Sequence, residues 1–160
     1  MEKQKKKYTE QEAYTRLSAL CAMGEHCCHD IQKKMNNWEL PEGADVKIIE
    51  KLVKEKFIDE NRFAHAFVRD KFRYNRWGKI RIQQELRLRQ IPQKHIDEAL
   101  EEIESDDNLS TLKEIIRKKR PSVKGRNEYE IKAKLIRFAL GRGFSMDDIT
   151  KVIGDVDDEG

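Results

Sequence analysis

The chain repeats itself three times, and this repetition limits its possible folds more than any other feature. The segments DIQKKMNNWELPEGADVKIIEKL, RIQQELRLRQIPQKHIDEAL and EIKAKLIRFALGRGFSMDDITKVI share one apolar skeleton. Ile31, Ile82 and Ile131 align, each followed four residues later by Met35, Leu86 or Leu135, which places each pair on one helical face. Leu40, Ile91 and Phe144 then fall at a turn, followed by Pro41, Pro92 and Ser145. Proline suits the first turn of a helix, where its missing donor goes unused, and a serine there can cap the helix. Each repeat closes with a short apolar helix, read from Val46, Ile49, Leu52 and Val53, from Ile96, Ala99 and Leu100, and from Ile149, Val152 and Ile153.

A longer amphipathic segment precedes each pair. The first opens with Thr9-Glu10-Gln11-Glu12, a capping-box pattern, and continues through Leu17, Leu20 and Cys21. The second starts at Asp59 and carries Phe63, Phe67, Val68 and Phe72, and the third carries Leu109, Leu112, Ile115 and Ile116. Strand-type alternation persists nowhere, so no β-strand is expected. The expectation is an all-α protein of three tandem three-helix repeats over 9–57, 58–104 and 105–154, with a basic head (1–8) and an acidic tail (155–160). Units of roughly 50 residues are near the lower limit for an independent core, so neighbours should lean on one another in an elongated or curved molecule.

Composition agrees with small modules rich in surface: 38% of residues are apolar and 39% charged. No apolar run is long enough for a bilayer or a secretory signal, which predicts a soluble, cytoplasmic protein without a membrane partner. The net charge of +3 conceals strong segregation. Lys71 to Gln90 holds seven bases and one acid, His95 to Asn108 seven acids and no lysine or arginine, and Lys113 to Arg126 seven bases and one acid. Three stacked units could turn both basic blocks to one side, giving a continuous surface for an anionic partner.

The stretch FIDENRFAHAFVRDKFRYNRWGKIRIQQELRLRQIPQKHIDEAL resembles the central repeat of the RecX family of bacterial recombination regulators. The resemblance rests on Ile58-Asp59-Glu60-Asn61-Arg62-Phe63-Ala64, Phe67-Val68, Arg76-Trp77-Gly78, Arg81-Ile82, Glu85-Leu86, Ile91 and Ile96. Lys134-Leu135-Ile136-Arg137 and Arg142-Gly143-Phe144-Ser145 extend it into the third repeat, and RLSALCAMGEHCCHDIQKKM resembles the family's opening helix pair. Many members place a proline and two arginines after the central glycine, where this chain has Lys79, Ile80 and Arg81. The resemblance implies a protein that binds the RecA filament on DNA and restrains its growth or activity.

Several sites compete for attention. His26-Cys27-Cys28-His29 invites zinc, yet four consecutive side chains point in different directions, so no metal is expected and Cys27 is read as standing at a helix cap. Phosphate-cradling glycine loops, nucleophile elbows and His-Glu-x-x-His patterns are missing, and His65 and His95 have no catalytic partner by spacing. The expectation is a non-enzyme with no cofactor and no small-molecule substrate.

The basic blocks have a bland reading as well. Arg81, Glu85 and Arg89 follow one another at helical spacing and predict a ladder of weak surface ion pairs, while Trp77 is read as packing at an inter-helix turn. Arg73, Arg76, Trp77, Lys79 and Arg81 in the first block, with Lys118, Lys119, Arg120, Lys124 and Arg126 in the second, are the candidate RecA- or DNA-contacting residues. Contact with DNA is expected to be weak, sequence-independent and within the nucleoprotein filament. The alternatives are an autonomous sequence-independent DNA-binding helical module and a scaffold whose charges only solubilise it.

Overall fold

The computed structural model describes residues 4–158, and side chains as far as residue 154. The expected head and tail therefore fall partly outside the described residues. Among the described residues nine α-helices follow one another: α1 (Glu10–Met23), α2 (Cys28–Met35), α3 (Ala44–Lys54), α4 (Glu60–Arg73), α5 (Lys79–Leu88), α6 (Gln93–Leu100), α7 (Ser105–Lys119), α8 (Glu128–Gly141) and α9 (Met146–Asp158). The fold is an all-α helical repeat.

Local chemistry starts these helices, at Thr9, Asp59 and Ser145 where the sequence places a start and at Asn127 where it does not. Thr9 accepts from the Glu12 amide at 3.1 Å while Glu12 accepts from the Thr9 amide at 3.3 Å, closing the capping box of α1. Asp59 caps α4 through the Arg62 amide at 3.0 Å, Asn127 caps α8 through the Glu130 amide at 2.9 Å, and Ser145 caps α9 through the Asp148 amide at 3.1 Å. One small strand pairing was not foreseen. β1 (Lys6–Lys7) runs parallel to β2 (Trp38–Glu39), and the Tyr8 ring meets Trp38 edge-on at 4.9 Å. Two residues are too few to leave an alternating pattern in a sequence.

Three apolar clusters form the interior. The first gathers Leu17, Ile31, Met35, Ile48 and Leu52; the second Phe63, Val68, Ile82, Leu86, Ile91 and Ile96; the third Leu112, Ile116, Leu135, Phe144 and Ile149. Two details of the sequence reading need correction. In the third repeat the buried pair is Leu135 and Ala139, both 0% exposed, whereas Ile131 is half-buried. Asn127 starts α8 a full turn before the residue matching the start of α5, so Ile131 occupies an added turn and the true equivalents lie four positions later. The exits agree with this register: Phe144 donates to the Ala139 carbonyl at 3.2 Å as Ile91 does to Leu86 at 3.1 Å. In α3 the inward face is Ala44, Ile48 and Leu52, and Val46 and Val53 are exposed.

The HCCH segment shows how the first two units join. Cys27 is the N-cap residue of α2 and is buried in the second cluster, so a residue of the first repeat completes its neighbour's core. The Cys28 amide donates to Glu60 at 3.3 Å, the His26 ring meets the Gly24 carbonyl at 2.8 Å, and His29 meets Asp30 at 3.3 Å. The four side chains diverge, and among the described residues no three His, Cys, Asp or Glu groups come together to hold a metal ion. Arg62 reaches Glu25 at 2.5 Å and Arg89 reaches Asp30 at 3.1 Å, tying the same junction from α4 and α5.

The second and third units join by backbone. Gly78 donates to the Arg142 carbonyl at 2.8 Å and Ile80 donates to the Gly143 carbonyl at 3.0 Å. A Cβ on Gly78 would lie 2.3 Å from the Gly143 oxygen, and one on Gly143, whose φ is +99°, would lie 2.4 Å from the Arg81 Cβ. Neither position has room for a side chain.

Two outcomes follow. Gly143→Ala should lower stability by about 2–4 kcal/mol through strain and steric displacement, while Gly141→Ala, in open space on α8, should raise it by about 0.5–1 kcal/mol. Urea denaturation compares them, and equal effects would contradict the packing described. Burial holds the Cys27 and Cys28 thiols up at about 12, so at pH 8 both stay protonated and poorly nucleophilic. An aromatic disulfide reagent should label them slowly in the native protein and rapidly in urea; full native labelling within seconds would show that the junction is open.

Candidate functional site

The turn between α4 and α5 sets the geometry of the basic surface. The Trp77 amide donates to the Lys71 carbonyl at 3.1 Å, closing the turn, and Arg76 takes a left-handed conformation with φ of +57°. A residue with a Cβ is strained in that conformation, which glycine adopts freely. The surroundings hold it: Gly78, two residues on, is spliced to the α8–α9 turn, and the Arg76 guanidinium reaches Glu114 on α7 at 3.3 Å. Arg142, from the end of α8, crosses back to donate to the Asn75 carbonyl at 2.8 Å.

These contacts enclose a cleft of about 300 Å³ lined by Arg76, Glu114, Ile115, Lys118, Lys119, Phe138 and Arg142. Among the described residues its charged lining is four cations and one carboxylate. Phe138 forms the apolar wall, with the Lys119 ammonium 5.2 Å and the Arg142 guanidinium 5.3 Å from its ring centre, so the quadrupole of one ring attracts both. Glu114 is shared: one oxygen accepts from Lys118 at 2.8 Å and the other faces Arg76. The Lys118 hydrogen bond and then the Arg76 charge hold its carboxyl below the usual carboxylate range.

Of the residues chosen from the sequence, Arg76, Lys118 and Lys119 meet at this cleft although they come from separate basic blocks. Trp77 and Arg81 sit beside it in the junction. The Trp77 ring packs edge-on against Phe67 at 6.4 Å in the second core, and it carries the Arg81 guanidinium at 4.1 Å and the Lys71 ammonium at 4.9 Å. The expected ladder is thus only half formed. Arg89 binds Glu85 at 2.9 Å, but Arg81 turns to the tryptophan face. Arg73 is exposed at the end of α4, and Lys79 opens α5 half-buried.

The remaining three candidates lie along the α7–α8 connection. Arg120 binds Glu128 at 3.0 Å, Arg126 pairs with Glu130 at 3.5 Å, and the Lys124 carbonyl accepts from the Lys134 ammonium. The acids of α8 therefore balance much of this loop. Sequence reasoning left out Arg142, Glu114 and Phe138. Arg142 carried a signal, because it precedes the glycine of a recognised turn motif, and Glu114 is the single acid of the second basic block. Phe138 carried none, since an aromatic on a helix reads as core. The two histidines also have local partners: His65 meets Glu102 at 2.6 Å and His95 meets Asn61 at 2.9 Å. Among the described residues no helix is long and apolar enough to cross a membrane.

Comparison with known proteins places this architecture. A family model described as the second three-helix domain of RecX matches residues 59–100, and one described as its third three-helix domain matches residues 105–153. The regulatory protein RecX of Chlorobium phaeobacteroides is 30% identical over 132 residues, covering 82% of this chain and 85% of that protein. The regulatory protein RecX of Clostridium acetobutylicum is 29% identical over 131 residues, which covers 79% of this chain and 60% of that longer protein. A crystal structure of a regulatory protein RecX superimposes with a TM-score of 0.81 at 24% identity, covering 89% of this chain and 72% of the other, and so shares its fold. Two consecutive domain models, a relative matched over most of its length and a common helical repeat agree: the chain belongs to the RecX family.

Proposed function

We propose that this protein is a non-enzymatic regulator that binds the RecA recombinase filament on DNA and inhibits its extension or activity, with the cleft between its second and third units at the centre of the working surface. The observation that carries the reading is the convergence of Arg76, Lys118, Lys119 and Arg142 from three chain segments around one cleft, in a chain whose curated relatives are regulatory proteins. Architecture accounts for Arg76 and Arg142, which bind Glu114 and the Asn75 carbonyl, but it gives little reason for Lys118 and Lys119 to join them, because exposed charges add little to stability and like charges repel. A phosphate-rich or acidic partner supplies the reason. The cleft is too small to admit a duplex, so it would receive a single anionic group while the helical units lie along the filament.

Nothing in the site resembles catalytic machinery. Burial keeps the Cys27 and Cys28 thiols protonated, and His65 and His95 are partnered by Glu102 and Asn61. Inhibition by binding requires only shape and charge.

The test is a titration of RecA's DNA-dependent ATPase and strand exchange. Wild-type protein should inhibit at well below one molecule per recombinase subunit. The pair Lys118→Gln and Lys119→Gln should raise the amount needed by about ten-fold, since two anion contacts are lost, with the melting temperature nearly unchanged. No inhibition by saturating wild-type protein, or full potency in a folded double variant, would overturn the reading. Tight, salt-sensitive binding to naked DNA without any effect on RecA would favour an autonomous DNA-binding module instead.

A further inference from the structure

We infer that Glu114 is a resident competitor in the cleft: its carboxylate occupies the place of an incoming phosphodiester group and must leave before a nucleic-acid strand can engage Arg76 and Lys118. The inference rests on the reading of this cleft as the working face and adds the chemistry of its ligand and the residue that sets its affinity. Three observations lead to it. Among the described residues Glu114 is the only acid lining the cleft, and its two oxygens are divided between two cations from different units, Lys118 at 2.8 Å and Arg76 at 3.3 Å. Its side chain is 39% exposed and sits on a helix surface, so it can swing out without unfolding anything. Lys119 and Arg142 have no acid of the cleft lining upon them and lie against Phe138 instead.

This arrangement discriminates between ligands. A lone carboxylate from a partner would exchange like for like with Glu114 and gain almost nothing. A nucleic-acid strand brings successive phosphates, so one can replace Glu114 between Arg76 and Lys118 while a neighbour meets Lys119 or Arg142, and the released counterions favour the exchange. Glu114 then works as a threshold. It leaves the cleft indifferent to isolated anions and open to a strand of successive phosphates.

The experiment measures binding of a fluorescein-labelled single-stranded oligonucleotide by anisotropy, without RecA, over a series of salt concentrations. Glu114→Gln should bind about three- to five-fold more tightly than wild type, the scale of one exposed ion pair, with a log–log salt slope steeper by about one. Glu50→Gln, an exposed position of α3 with the same change in net charge, should match wild type. An unchanged or weakened Glu114→Gln, an equal gain in Glu50→Gln, or no binding by any form would overturn the proposal. So would a gain as large for a poly-glutamate peptide as for the oligonucleotide, because the site would then favour acidic protein. If Glu114→Gln loses helicity, Glu114→Asp keeps the charge but withdraws it by one methylene; a smaller gain supports the inference and none overturns it. RecA is absent from every arm, so failure here is distinct from failure to inhibit the recombinase.

Discussion

The molecule depends on one close approach, that of the α4–α5 turn to the α8–α9 turn. Two backbone hydrogen bonds, Gly78 to Arg142 and Ile80 to Gly143, join the second unit to the third where neither glycine has room for a Cβ. Each bond contributes about 1 kcal/mol net, but leaving its buried partners unpaired would cost more. The splice gives direction as well as energy. A backbone contact fixes both the distance and the rotation of one unit on the other, which flexible surface side chains cannot do. Arg76, Glu114, Lys118 and Arg142 meet at a cleft only because this rotation is fixed.

The other junction is built differently. Between the first two units the contacts come from side chains: Cys27 fills part of the second core, Arg62 spans Glu25 and the carbonyls of Lys56 and Phe57, and Arg89 joins Asp30 to Glu85 while lying over Phe67. Arginine suits this work because its planar group binds several acceptors at once and stacks on an aromatic ring. Some of the charge that marked Lys71 to Gln90 as an anion-seeking surface is therefore structural. Arg89 belongs to the architecture, and Arg76 serves both architecture and site.

Much of this was legible in the sequence. The apolar skeleton revealed three helix trios because each pair of buried positions recurs at helical spacing, and the caps at Thr9, Asp59 and Ser145 are local chemistry that needs no tertiary context. The register of the third repeat was misread because Ile131 and Leu135 mimic the spacing of Ile82 and Leu86, and only the added turn of α8 shows that Leu135 and Ala139 are the true counterparts. The α3 face was misread because valines at 46 and 53 look apolar in isolation, while the burial of Ala44 depends on the angle at which the helix arrives. The two basic blocks were visible, but their meeting was not. Their convergence requires the Gly78–Gly143 approach, a contact between residues far apart in the chain whose only trace in the sequence is two glycines beside two arginines.

The central claim, that this splice locks two units into one surface, is tested most directly by native-state hydrogen exchange at the Gly78 and Ile80 amides. Both lie at or just inside the start of α5, where the first amides of a helix normally lack partners and exchange quickly. The splice predicts that these two exchange together and slowly, with protection near that of core amides such as Ile82 and Leu86. Rapid, independent exchange at the two sites, with the cores still protected, would show that the units move freely and would contradict the account.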